Sequence, residues 1–185
     1  MNLHCTLARR TLVAAAAVCV AAGGPAIALA SPGAGPHAAR PHAARIATPA
    51  CATSGLDVWL DTQGNGAAGT IFYNLEFTNL SGSTCTLFGF PGVSGVTLGG
   101  SQLGSAATRN GGPPKTVTLA NGKTATALLG IVDAGNFPPA KCKPVTAAGL
   151  RVFPPNQTQS RVAPFPFSAC SKTGELYLKI GPVHS

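Results

Sequence analysis

Two stretches of this chain alternate apolar and polar residues with a period of two. Leu56, Val58 and Leu60 alternate with Asp57, Trp59 and Asp61, and Tyr73, Leu75 and Phe77 alternate with Asn74, Glu76 and Thr78. Successive strand side chains point to opposite faces, so each stretch predicts a strand with one buried face and one wet face. Shorter runs predict further strands over 85–90, 94–98, 116–119, 124–132, 149–153, 161–165 and 175–180. Asn121–Gly122, set between Thr-Val-Thr-Leu and Thr-Ala-Thr-Ala-Leu-Leu, predicts a tight hairpin, because Gly has no Cβ and Asn tolerates the left-handed region. Asn65–Gly66, Gly99–Gly100 and Pro154-Pro155-Asn156 predict other turns. No apolar run keeps helical spacing for long without Gly or Pro, so helix is expected only as short turns near 133–140.

Many short strands with Gly and Pro turns and no alternating helices predict an all-β fold, an antiparallel two-sheet sandwich of immunoglobulin-like architecture. Trp59 follows Cys51 by only eight residues, unlike the Trp of a true immunoglobulin domain, so the likeness is one of architecture.

The start of the chain changes the compartment. Arg9 and Arg10, an apolar run from Leu12 to Ala22, and Ala28-Leu29-Ala30 before Ser31 form the tripartite pattern of a cleaved secretory signal over 1–30. The apolar run is about half of the roughly 20 residues that a spanning helix needs. Arg9–Arg10 partly matches the twin-arginine export pattern, and the route stays open between that and ordinary secretion. Cys19 lies inside the apolar run and Cys51 well past it, so no acylated cysteine is expected. The ending Gly-Pro-Val-His-Ser has neither an apolar tail nor a sorting signal, and no membrane span is expected after cleavage. Residues 31–50, with Pro-His-Ala-Ala-Arg twice in tandem, read as an extended, solvated linker, and 51–185 as a single β-domain.

Cleavage removes Cys5 and Cys19 and leaves Cys51, Cys85, Cys142 and Cys170. An even number outside the cytoplasm predicts two disulfides, while a four-cysteine zinc site wants short Cys-x-x-Cys pairs that are missing here. Of the three pairings that four cysteines permit, Cys51 with Cys85 and Cys142 with Cys170 is favoured, since each encloses one hairpin-sized loop.

The net charge of +8 suggests nucleic acid until it is apportioned. From Cys51 onward nine Lys and Arg stand against five Asp and Glu, net +4, and the cations are scattered. That surface suits weak attraction to anionic envelope polymers and lacks the basic stripe with interleaved aromatics of a nucleic-acid binder.

Candidate chemistry is sparse. Nucleophilic hydrolysis needs a base beside the nucleophile, and from Cys51 onward the only imidazole is that of His184. Asp57, Asp61, Glu76, Asp133 and Glu175 are all the carboxylates of the domain. On a regular strand Asp57 and Asp61 would stand about 13 Å apart, too far for a glycosidase pair. No catalytic residue, cofactor or metal site is predicted. Asn79-Leu-Ser81 and Asn156-Gln-Thr158 fit the glycosylation sequon but read as turns. Phe88 and Phe90 around Gly89, and Phe165-Pro166-Phe167, are aromatic tips for glycan stacking or, as is commoner for Phe, core residues. Phe90 is retained as a candidate ligand contact. Arg151, between Leu150 and Val152, should face outward and is the second candidate, for a phosphate or carboxylate.

Several segments together resemble a bacterial domain of unknown function, number four-two-three-two: Cys51, Tyr-Asn-Leu-Glu-Phe-Thr-Asn-Leu-Ser over 73–81, and Cys-Thr-Leu-Phe-Gly-Phe-Pro-Gly-Val-Ser over 85–94. Gln102-Leu-Gly, Val117-Thr-Leu, Cys142-Lys-Pro, Gly149-Leu-Arg-Val-Phe-Pro-Pro and a closing Leu-Tyr-Leu extend the resemblance over nearly all of 51–183. It implies an exported protein of high-GC Gram-positive bacteria with a spacer and one β-rich domain, and it implies no activity. The expectation is a secreted, non-catalytic module for an anionic wall polymer or glycan. Its rivals are a secreted hydrolase using carboxylates from separate strands, and a partner-binding domain for another exported protein.

Overall fold

The computed structural model describes residues 47–185, so the expected leader and most of the linker lie outside the described residues. Eleven strands follow one another: β1 (Leu56–Ala67), β2 (Thr70–Asn79), β3 (Cys85–Phe88), β4 (Gly92–Val96), β5 (Gln102–Leu103), β6 (Thr108–Arg109), β7 (Thr116–Leu119), β8 (Thr124–Val132), β9 (Pro144–Phe153), β10 (Arg161–Cys170) and β11 (Leu178–Ile180). A five-stranded sheet has the order β1-β2-β8-β11-β6, a four-stranded sheet β10-β9-β4-β5, and β3 pairs with β7 in a small third sheet. All pairs are antiparallel except β11 with β6, which joins one edge in parallel. β1 lies against β10 and β11 against β4, so the two larger sheets form a sandwich. Among the described residues helix is confined to one 3-10 turn at Ala134–Asn136, another at Thr53–Gly55, and a single α turn, α1 (Pro139–Cys142).

The alternation of β1 and β2 does what its period requires. Leu56, Val58, Leu60, Leu75 and Phe77 are buried, and with Ala125, Ala127 and Leu129 of β8 they pack among Val93, Leu150 and Val152 of the other sheet. A fully buried Phe or Leu contributes about 1.5 to 3 kcal/mol by removal of apolar surface from water. Trp59 stays 44 % exposed on the opposite face, as its position between Val58 and Leu60 dictates.

Both favoured disulfides are present. Cys51 is bonded to Cys85 and Cys142 to Cys170, with Cα separations of 4.9 and 4.5 Å. The first ties the chain entry to β3, where the Cys51 amide donates to the Thr86 carbonyl and the Thr86 amide to the Pro49 carbonyl. The second holds α1 to the end of β10. Loops of 34 and 28 residues correspond to about 3 to 4 kcal/mol each through restriction of the unfolded chain.

Three expectations need correction. Asn121–Gly122 does turn the chain, with Gly122 at φ +77° and the Lys123 amide donating to the Ala120 carbonyl. It makes no hairpin, because β7 pairs with β3 while β8 pairs with β2 and β11. Only Gly122 has a positive φ there, so the turn lacks the twist that would lay its two strands side by side. Asn65–Gly66 lies inside β1, and the hairpin turn sits at Ala68–Gly69, where both residues have positive φ of 46° and 75°. The strand expected to stop at Phe165 runs through Pro164 and Pro166 to Cys170, because β10 is an edge strand whose outer side needs no N–H donors.

The two sheets are bridged by one buried phenol. Tyr177 has no exposed surface, and its hydroxyl donates to the Leu103 carbonyl at 2.8 Å. Position 95 has to be Gly beside it, since a Cβ there would stand 2.7 Å from that oxygen. Burial pushes the Tyr177 hydroxyl up to about 12, offset in part by a backbone hydrogen bond from Gly95.

Candidate functional site

Arg151 and Arg161 both line a cleft beside the β9–β10 hairpin, rising from opposite faces of the strand pair. β9 and β10 form a hairpin closed by a turn in which Gln157 N–H donates to the Pro154 carbonyl and Asn156 takes a φ of +59°. The register sets Val162 opposite Arg151 and Arg161 opposite Val152. Arg161 then reaches the 3-10 turn ahead of β1, where Nε donates to the Thr53 carbonyl at 3.3 Å and Nη2 to the Ser54 carbonyl at 3.1 Å. Thr53 returns the contact through its hydroxyl to the Gln159 carbonyl at 3.1 Å. Arg151 Nη2 donates to the Gly100 carbonyl on the β4–β5 turn.

The cleft has a volume of about 720 Å³ and is lined also by Thr158, Gln159 and Ser160. A guanidinium carries five N–H donors in a rigid fork. Arg161 spends two and Arg151 one on backbone carbonyls, so each head is positioned and keeps further donors. No carboxylate is among the lining residues. Two cations and several hydroxyls among the lining residues, with no carboxylate, give the cleft a positive potential.

Arg151 therefore differs from expectation in one respect. It is half-buried and anchored to Gly100, not an open surface cation, because the β4–β5 turn lies over its strand face. Phe90, the other candidate, is elsewhere. The Arg109 guanidinium covers its ring at 5.5 Å from the centroid, and Phe90 does not line the cleft. Arg161 is the residue that reading along the chain missed. Its position at a strand start was visible, but its partner Ser54 is 107 residues away.

The remaining candidates are dispersed. Phe165 and Phe167 are packed against the core in an aromatic row, with Tyr73–Phe165 at 5.0 Å, Phe165–Phe167 at 6.0 Å and Phe167–Tyr177 at 6.4 Å. Asp61 accepts from the Gln63 amide, and Glu76 accepts from the Thr126 hydroxyl at 2.9 Å. His184 pairs through its backbone with Thr126 at the outer edge of β8. Among the described residues no cluster of His, Cys, Asp and Glu is arranged to hold a metal ion, and no helix is long and apolar enough to cross a membrane.

The first sequon is a structural hub. Asn79 is fully buried, its amide donating to the Ser83 and Leu119 carbonyls at 2.8 and 2.9 Å and its oxygen accepting from the Ser81 N–H and hydroxyl. Both amide hydrogens are thereby committed inside the fold. Asn156 of the second sequon shapes the β9–β10 turn and donates to the Phe88 carbonyl at 3.0 Å.

No curated protein and no solved structure was found to match the chain. The model of a domain of unknown function, DUF4232, matches residues 51–184, the whole of the two-disulfide sandwich that carries the cleft, and the chain belongs to that family.

Proposed function

We propose that this chain is exported and that its β-domain binds an anionic envelope polymer, a phosphate- or carboxylate-bearing glycan or polyol, without transforming it. The observation that carries the reading is the cleft lined by Arg151 and Arg161: two anchored arginines, four hydroxyl residues, Thr53, Ser54, Thr158 and Ser160, and no carboxylate or imidazole on its walls. Such a lining supports recognition of an anion and supplies no general base for hydrolysis. The secretory pattern at 1–30, the spacer and the two disulfides support an oxidising compartment.

Binding of this kind is measured with purified mature protein on immobilised poly(glycerol phosphate), with an uncharged glucan as the control. Exposed ion pairs are screened over about 8 Å at physiological salt, so retention should be strong at low salt and fall as salt rises. Arg151→Gln combined with Arg161→Gln should weaken retention about a hundredfold, each charge-assisted contact being worth roughly 1.5 kcal/mol. Equal retention of the double variant, or equal retention on the glucan, overturns the reading.

A further inference from the structure

At one end of the sandwich the five-stranded sheet outruns its partner. The inward row of β2 passes from Phe77 and Leu75, both with no exposed surface, through half-buried Tyr73 to Ile71, which is 44 % exposed. Ile71 is paired with Gly66 across β1 and with Ile131 across β8, so all three sit on the same, core-facing side of the sheet. The other sheet reaches this point only through Phe167 and Ser168 of the edge strand β10. The result is a mouth of about 420 Å³ opening into the core between the layers, walled by Ile71, Tyr73, Ile131, Val132 and Phe167.

This mouth is built. Its rim is the Ala68–Gly69 turn, in which a non-glycine residue holds a φ of +46°, a conformation that costs of order 1 kcal/mol and persists only where the surroundings impose it. The Gly69 carbonyl is clamped twice, by the Asp133 amide at 2.9 Å and by the Asn136 side chain at 3.0 Å. The Asp133 carboxylate accepts from the Gly135 amide at 2.8 Å and so is held at the rim. It is the only carboxylate lining the mouth, in a domain with five in all. Apolar walls of this volume with a few fixed polar groups are the ordinary form of a small-molecule site.

We propose that the mouth binds a small aryl or alkyl amine, its apolar body completing the core against Ile71, Tyr73 and Phe167 and its ammonium group at the Asp133 carboxylate. The ligand is opposite in charge to that of the arginine cleft. Charge complementarity selects it, since a fatty acid or other apolar anion would bring its carboxylate against that of Asp133.

The test uses a matched pair of fluorescent probes, 1-naphthylmethylamine and 1-naphthylacetate, titrated into the purified mature chain. The ammonium probe should bind saturably and about fivefold to tenfold more tightly than the acetate, the range expected of an exposed ion pair replaced by a like-charge pair. Asp133→Asn keeps the oxygen that caps the Gly135 turn and should bring the two probes to equal affinity. Gly66→Leu fills the mouth beside Ile71; a Cβ at position 66 meets nothing within 4 Å, so the variant should fold and lose at least tenfold in affinity. Gly64→Ala narrows it from the same strand, since a Cβ there meets a methyl of Ile71 and the Tyr73 ring, and should also weaken binding. Absence of saturable binding of the ammonium probe, equal affinity of the acetate for the unaltered chain, or undiminished affinity in whichever filled variant folds, overturns the proposal.

Discussion

The two ends of the β1–β2 ribbon are written in the same alternating pattern and finish differently. At the Leu56–Asn79 end, Asn79 draws Ser81, Ser83 and Leu119 around one buried amide, and the Leu80 amide donates to the Gly55 carbonyl at 2.8 Å. At the Ala67–Thr70 end, the inward row runs on into an apolar mouth with Ile71 half in solvent. Each end has a disulfide near it, Cys51–Cys85 beside the first and Cys142–Cys170 two residues beyond Ser168 of the second. Cross-linking therefore does not separate them. The first end is closed over a fully buried polar hub, whereas at the second the polar clamp on the Gly69 carbonyl sits at the rim and the core is left open beneath it.

The largest effect should come from removing that hub. Asn79→Ala strands the buried Leu119 carbonyl, frees the part-buried Ser83 carbonyl and Ser81 donors and leaves a void at a fully buried position, and should lower unfolding stability by about 3 kcal/mol. Urea unfolding monitored by Trp59 fluorescence reads it. A loss below about 1 kcal/mol would show that the closed end does not depend on Asn79.

Next in size is the phenol that lies between the two ends, at the inner terminus of the aromatic row that begins with Tyr73 in the mouth. The folded value of Tyr177, about 12, stands above the ordinary 10 of an unfolded tyrosine. The neutral form is favoured in the native state, so this contribution is complete below about pH 10 and is lost as the pH rises through about 12. The loss amounts to about 2 to 3 kcal/mol. Tyr177→Phe should start about 1 kcal/mol less stable, lacking the bond to Leu103, and should show a shallower decline across that window. Parallel alkaline profiles for the two proteins would remove Tyr177 as the cause.

The finest test is a matched pair of glycines on the two ends. A Cβ at Gly55 would stand 2.7 Å from Cβ of Ser81 and 3.4 Å from its Cα, so backbone must shift. A Cβ at Gly64 would stand 2.6 Å from a methyl of Ile71 and 2.7 Å from the Tyr73 ring, flexible groups at an open end that can swing aside. Gly55→Ala should cost about 2 kcal/mol and Gly64→Ala about 1 kcal/mol or less, with the second also weakening probe binding in the mouth. Equal thermal shifts for the two variants would contradict the contrast between a closed and an open end.

Several features were legible along the chain because their causes are local. The alternation of Leu56, Val58 and Leu60 with polar neighbours names the buried face, since a strand side chain can point only one way at each position. The cysteine pairs were legible because each spans a short loop. At Asn121–Gly122 the expected hairpin does not form, for a physical reason. The dipeptide encodes a reversal, but whether its flanks pair depends on competitors, and β2 offers β8 a nine-residue partner against the four residues of β7. The outward direction of Arg151 follows from its strand parity, whereas the contacts of Arg161 do not, because nothing near it in the chain announces Thr53 and Ser54.

The amino-acid sequence by itself determined the class of fold, the favoured cysteine pairs and which face of β1 and β2 is wet, because periodicity, cysteine spacing and turn chemistry act over a few residues. The tertiary structure alone decided which strands are neighbours, which end of the sandwich closes, and that two arginines from one hairpin share a cleft with a turn a hundred residues away. Those outcomes depend on the summed packing of distant segments, a competition among partners that no local pattern records.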